Sequence, residues 1–203
     1  KKTKINWKIY YSNNKMAAYR NKKYDFNGKV ALITGSSAGI GAAIACQFAE
    51  YGADVVITGR SLQGLNRIAQ KIMKKTDREP LVIVGDLQTD EHLPSKLIDE
   101  TIKKFGHLDI LVNNAGTNFA NDTFDNPELI TEFDKMFALN VRVPLCLCKL
   151  AAEHLAKTRG NIINISSNAS AEPVSFCFPN VWSILIHFFD HRFYSLTQCR
   201  KQH

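Results

Sequence analysis

Thr34-Gly35-Ser36-Ser37-Ala38-Gly39-Ile40-Gly41 is the stretch that most restricts what this chain can become. It follows the apolar run Val30-Ala31-Leu32-Ile33 and opens into a helical pattern carrying Ile44, Cys46, Phe48 and Ala49. A strand that runs into a glycine-rich turn and then a helix points free backbone N–H groups at an anion, and the helix dipole reinforces them. Gly35 permits the sharp turn, while Gly39 and Gly41 lack the Cβ atoms that would obstruct a pyrophosphate and the helix–sheet contact. Gly35, Ser36, Ser37, Gly39, Ile40 and Gly41 are therefore the candidate phosphate seat. Three glycines also suit an ordinary tight connection, so the order of the later segments decides between the two.

That order is regular. Val30–Thr34 reads as a strand, Gly39–Tyr51 as a helix closed by Gly52, and Val55-Val56-Ile57 as a second strand. Leu65, Ile68, Ala69 and Ile72 mark a helix over Leu62–Lys75, and Leu81-Val82-Ile83-Val84 a third strand. A helix over Leu93–Phe105 stops at Gly106, and Ile110-Leu111-Val112 is a fourth strand. Helical stretches near Pro127–Ala138 and Val143–Lys157 then lead to a fifth strand at Ile162-Ile163-Asn164-Ile165. Short apolar strands alternating with amphipathic helices predict a parallel sheet covered on both faces. Right-handed crossovers make this a doubly wound Rossmann fold in three α/β/α layers, with ligands beyond the carboxyl ends of the strands.

The net charge of +7 suggests nucleic acid until it is located. Of the 26 Lys and Arg, eight fall in residues 1–23 beside no acid, which leaves 18 bases against 19 acids elsewhere. The basicity belongs to a leader expected to be a disordered arm, and no nucleic-acid groove is predicted. Met16 is the first methionine and the expected true start, residues 1–15 reading as translated leader RNA. The five cysteines and six histidines form no metal pattern, so no metal is expected and the thiols read as free ones in a reducing compartment. With no signal peptide, and an apolar run from Phe176 to Phe189 too short to span a bilayer, the expectation is a cytoplasmic chain without membrane contact.

Beyond the second strand stands Thr58-Gly59-Arg60-Ser61. An acid there would hold the ribose 2′-hydroxyl of NAD, whereas Arg60 suits a 2′-phosphate. Arg60 with Ser61 therefore predicts NADP(H) in preference to NAD(H). Asp86, with Leu87, ends the third strand, where its carboxylate could accept from the adenine amino group or simply cap a turn. The fourth strand ends Asn113-Asn114-Ala115-Gly116; Ala115 and Gly116 allow close approach to a cofactor, and Asn113 can tie neighbouring loops through its amide.

Thr34-Gly-x-x-x-Gly39-x-Gly41, Asn113-Asn-Ala-Gly116, Leu139-Asn140-Val141 and Ile165-Ser166-Ser167, in this order over residues 28–170, resemble the short-chain dehydrogenase/reductase family. The resemblance implies an NAD(P)(H)-dependent oxidoreductase acting on a small-molecule alcohol or carbonyl. It implies catalytic roles for Asn140, which supports a proton-relay water, and for Ser167, which hydrogen-bonds the substrate oxygen. Thr34 and Asn113 resemble structural polar residues of the family, whose members commonly form dimers or tetramers through helices equivalent to Val143–Lys157.

Hydride transfer to a carbonyl leaves an alkoxide that must be hydrogen-bonded and protonated. The family uses Tyr-x-x-x-Lys for the second task, and after Ser167 that pattern is absent. Pro179-Asn180-Val181-Trp182-Ser183-Ile184 would match it if Asn180 were Tyr and Ile184 were Lys. The codons of Leu196–His203, read from the third base of the first, can spell Tyr-x-Met-Ser-Lys-Ala-Ala. The expectation is therefore a retained intron or frameshift between about Val174 and Leu196. On this reading residues 24–173 are the dinucleotide-binding domain, C-terminally incomplete, and 174–203 an aberrant tail. The chain as it stands is expected to be inactive. The alternatives are a non-catalytic NADP(H)-binding protein and an unstable truncated product.

Overall fold

A computed structural model of the chain describes residues 24–118 and 125–166. The leader (1–23), Ser167 and the segment 174–203 lie outside the described residues. Within them the predicted alternation is realised: β1 (Val30–Ile33), α1 (Gly39–Glu50), β2 (Asp54–Gly59), α2 (Leu62–Thr76), β3 (Leu81–Val84), α3 (Leu93–Phe105), β4 (Ile110–Asn113), α4 (Leu129–Phe137), α5 (Val143–Thr158) and β5 (Asn161–Asn164). The strands pair parallel in the order β3-β2-β1-β4-β5, so the chain winds outward from β1, returns, and winds outward on the other side. The reversal lies between β1 and β4.

Alternation along the strands explains why the sheet needs helices on both faces. Val30, Leu32, Val56 and Leu111 face α3 and α5, packing with Leu93, Leu97, Leu147, Ala151 and Leu155. Ala31, Ile33, Val55, Ile57, Ile110 and Val112 face α1 and α2, packing with Ala42, Ala45, Leu65, Ile68 and Ile72. The buried stripe of α1 is small (Gly41, Ala42, Ala45, Cys46, Ala49), which lets that helix lie close on the sheet. Ser61 caps α2, its hydroxyl accepting from the Gly64 N–H at 3.0 Å. Gly106, at φ 81°, stops α3 as expected.

Several boundaries shift by a residue or two from the sequence reading, β5 among them at Asn161–Asn164 rather than Ile162–Ile165, and two differences have a clear structural cause. β2 extends over Asp54–Gly59 because its ends bond to β1 and β3 neighbours rather than following the apolar run. The stretches near residues 127–138 and 143–157 are joined by a π-helical turn, Ala138–Arg142, in which the Val143 N–H donates to the Ala138 carbonyl. Pro144 has no N–H to offer the carbonyl four residues back, at Asn140, so regular α-bonding cannot run through this point.

The amino edge of the sheet is closed by Asp109, a buried carboxylate that sequence reading did not single out. Its oxygens accept from Lys29 Nζ at 2.8 Å and from the Val30 N–H at 2.9 Å, and His107 Nε2 lies 3.2 Å away. A buried charge with this many partners pins the starts of β1 and β4 together.

Candidate functional site

At the carboxyl edge the turn after β1 meets the turn after β4. Thr34, 1% exposed, holds the junction: its Oγ1 accepts from the N–H groups of Asn114 and Ala115, both at 2.9 Å. The Asn114 amide reaches back and donates to the carbonyls of Thr34 (2.9 Å) and Gly35 (3.2 Å). Gly35 sits at φ +64°, and a Cβ there would stand 2.9 Å from the Cα of Ala115. A Cβ on Gly41 would meet the Asn114 amide and the Gly35 carbonyl, the latter at 2.6 Å. Both glycines thus serve the contact between the two turns, whereas Gly39, at φ +58°, faces open space. The helix that begins there takes no side-chain cap from Ala38.

Ser36 turns inward. Its hydroxyl accepts from the Thr58 N–H at 2.9 Å and donates to the Ile33 carbonyl at 2.9 Å, and its own N–H goes to the Thr58 carbonyl. Whatever Ser36 does for the site, it does by stitching β1 to β2. Ser37 lies over that stitch, and a Cβ on Gly59 or Gly64 would come within 3.1 Å or 2.9 Å of it.

A cleft of about 240 Å³ opens over the reversal point. Among its walls are Gly35, Ser37, Arg60, Asp86, Leu87, Ala115 and Gly116, drawn from the ends of β1, β2, β3 and β4. Arg60 is exposed and makes no ion pair among the described residues. Asp86 forms an Asx turn, Oδ1 accepting from the Gln88 N–H at 3.0 Å. Leu87 is buried in the core on the α3 side. Ile40 is exposed at the start of α1, outside the cleft lining, and Ser61 serves as the α2 cap. Asn113 is buried beneath the cleft.

Asn140 sits within the π-helical turn, next to the cleft. Its Oδ1 accepts from the Thr117 N–H at 2.9 Å and its Nδ2 donates to the Thr117 carbonyl at 2.8 Å, a two-point grip on the segment leaving Gly116. A Cβ on Gly116 would lie 3.3 Å from Asn140 Oδ1. Ser167 lies outside the described residues. Sequence reading passed over Asn114, Gly59, Gly64 and the Pro144 that shapes the turn around Asn140. Asn114 was as visible as its neighbour, and Pro144 was legible as a missing donor. The neighbours of Gly59 and Gly64 come from a distant turn and leave no local sign. No cluster of His, Cys, Asp or Glu fit to hold a metal occurs among the described residues. No helix among them is long and apolar enough to cross a membrane.

The sequence and the fold are similar to those of known proteins. The family described as short chain dehydrogenase matches residues 29–179. The L-fucose dehydrogenase of Mus musculus is 38% identical over 152 residues, covering 72% of this chain and 51% of its own length. A metagenomic short-chain oxidoreductase in complex with NADP superposes with a TM-score of 0.70 at 31% identity, covering 78% of this chain and 71% of that one. A 7α-hydroxysteroid dehydrogenase complexed with NADH and 7-oxo glycochenodeoxycholic acid gives 0.74 at 32% identity, covering 80% and 62%. The chain spans about half the length of the curated relatives it matches. With the family's match running through the whole described sheet, the chain belongs to the short-chain dehydrogenase/reductase family.

Proposed function

We propose that this chain carries the NADP(H)-binding part of an oxidoreductase that moves hydride between the dinucleotide and a small-molecule carbonyl or alcohol. The observation that carries the reading is the cleft over the β1/β4 reversal, where Gly35, Ser37, Arg60 and Asp86 come together from four strand ends. In doubly wound sheets a dinucleotide lies across such a point.

The residues suit that guest. Gly39 leaves open space where a Cβ would otherwise stand, and the uncapped N–H groups of the first turn of α1 suit a diphosphate. Arg60 offers a planar fork to a 2′-phosphate, and no acid stands there to repel it. Relatives have been seen with NADP and with NADH, so the choice rests on Arg60. Asp86 and Leu87 would take the adenine end, while Ala115 and Gly116 admit the nicotinamide half close to the backbone. When bound, NADP(H) supplies or accepts the hydride. Ser167 would hydrogen-bond the substrate oxygen. Asn140, by gripping Thr117, holds the wall beside Gly116 and supports the proton path. Exposed Leu145 and Leu150 on α5 support self-association.

Titration followed by NADPH and NADH fluorescence tests the cofactor. The unaltered chain should bind NADPH more tightly, and Arg60→Asp should weaken NADPH at least about tenfold while sparing NADH. A chain that ignored both dinucleotides would end the proposal. A second reading, a non-catalytic NADP(H) binder, is favoured by Asn180 and Ile184, which stand where the family's Tyr and Lys would match. Turnover on a panel of small carbonyls by the chain lengthened with the family's missing Tyr-x-x-x-Lys segment, lost on Ser167→Ala, supports the enzyme; binding without turnover in that lengthened form supports the binder.

A further inference from the structure

The register places a row of uncharged polar side chains along the carboxyl edge of the sheet. Thr58 pairs with Ile83 and Asn113 with Asn164, and continuing one residue past Ile33 sets Thr34 between Thr58 and Asn113. Asn164 has no part in the site so far. Its Oδ1 accepts from Asn113 Nδ2 at 2.9 Å, and Cys148 Sγ of α5 lies 3.5 Å from the same nitrogen. Asn113 is 3% exposed, and its own Oδ1 has no hydrogen-bond partner among the described residues. The acceptor on Asn164 therefore fixes which end of the buried amide faces β5.

Two consequences meet at this pair. On one side the chain passes directly from Asn113 into Asn114-Ala115-Gly116, the wall of the cleft tied to Thr34. On the other, β5 stands last in the strand order, and its end continues through Ile165, whose N–H donates to the Asn113 carbonyl at 2.9 Å, into Ser166 and Ser167. Arg60 and Asp86 put the adenosine half over β2 and β3, so the nicotinamide half falls over β4 and β5.

We propose that Asn164 is a positioning residue. By accepting from Asn113 it locks the serine-bearing end of β5 to the cofactor wall after β4, and so sets the seat of the nicotinamide half. The inference rests on the NADP(H) reading above.

The test compares NADPH with adenosine 2′,5′-bisphosphate, which carries the adenosine half alone, on the full chain. Asn164→Leu should weaken NADPH about tenfold, as expected when a buried donor loses its acceptor, and should diminish the nicotinamide emission of bound NADPH. Adenosine 2′,5′-bisphosphate should bind as before. Asn164→Asp, which keeps an acceptor at the same atom, should restore NADPH binding towards that of the unaltered chain. Asn164→Ser, too short to reach Asn113, carries the same expectation as leucine if the leucine variant does not fold. Equal weakening of both ligands would reduce Asn164 to a folding role, and unchanged NADPH binding in the leucine and serine variants would remove it altogether. An unaltered chain that binds neither ligand would instead defeat the NADP(H) reading, and this inference with it.

Discussion

A single hydroxyl, that of Thr34, satisfies two backbone N–H groups of the opposite turn, and the Asn114 amide completes the contact between the β1 and β4 turns. Thr34→Val keeps the shape and removes the acceptor. The expected loss is about 1 kcal/mol of stability, the cost of stranding two part-buried donors, read as a lower denaturant midpoint with an unchanged m-value. Ser61→Ala should remove about 1 kcal/mol by the same measurement, because the cap on Gly64 is lost. Were the glycines of the first turn needed only for chain direction, Gly41→Ala would be mild. The Cβ would instead press on the Gly35 carbonyl and the Asn114 amide, so NADPH binding should fall sharply in a calorimetric titration. That Gly35, Arg60, Asp86 and Gly116 fall at strand ends around one cleft was legible in the sequence, because each stands in a local motif after an apolar run. Asn164 and Asp109 were not, because their meaning comes from partners 51 and 80 residues away.

Among the elements, the joint between α4 and α5 separates reading from structure most clearly. Periodicity gave two helices and left Asn140 between them; the structure gives one helical path with a five-residue π turn at that place. Periodicity senses which face is apolar and is blind to the shift from four-residue to five-residue bonding. The ends of α1 and α2 are joined by Glu50 and Lys75, 2.6 Å apart. The hydrogen bond from Lys75 to Glu50, then the carboxylate's charge, raises the lysine above its ordinary range. A raised folded-state value means that the pair's contribution is complete below the ordinary lysine pKa and disappears as pH climbs through the raised one. Lys75→Met should therefore leave the neutral-to-alkaline slope of thermal stability unchanged until that high range. There the unaltered chain should lose its small advantage; a scan of Tm against pH checks this.

The described residues form two apolar layers divided by one sheet. Strand residues alternate between the layers, so Leu32, Val56 and Leu111 serve one while Ile33, Ile57 and Val112 serve the other. Leu111→Ala should cost about 2–5 kcal/mol, and its effect should add to that of Ile68→Ala, which empties the opposite layer; denaturant unfolding of the double variant measures it. This division was readable from apolar strands and amphipathic helices alone, because burying both faces of a parallel sheet leaves few other arrangements. The two ends of the sheet are built from different materials. A carboxylate with a lysine and a histidine secures the amino end, while at the other end Thr58, Thr34, Asn113 and Asn164 carry no group that gains or loses a proton in ordinary buffers. Those four side chains keep the same charge from mildly acid to mildly alkaline solution. A change in grip on a polyanionic guest over that range is then expected to come from the guest's own phosphates or from groups outside this row.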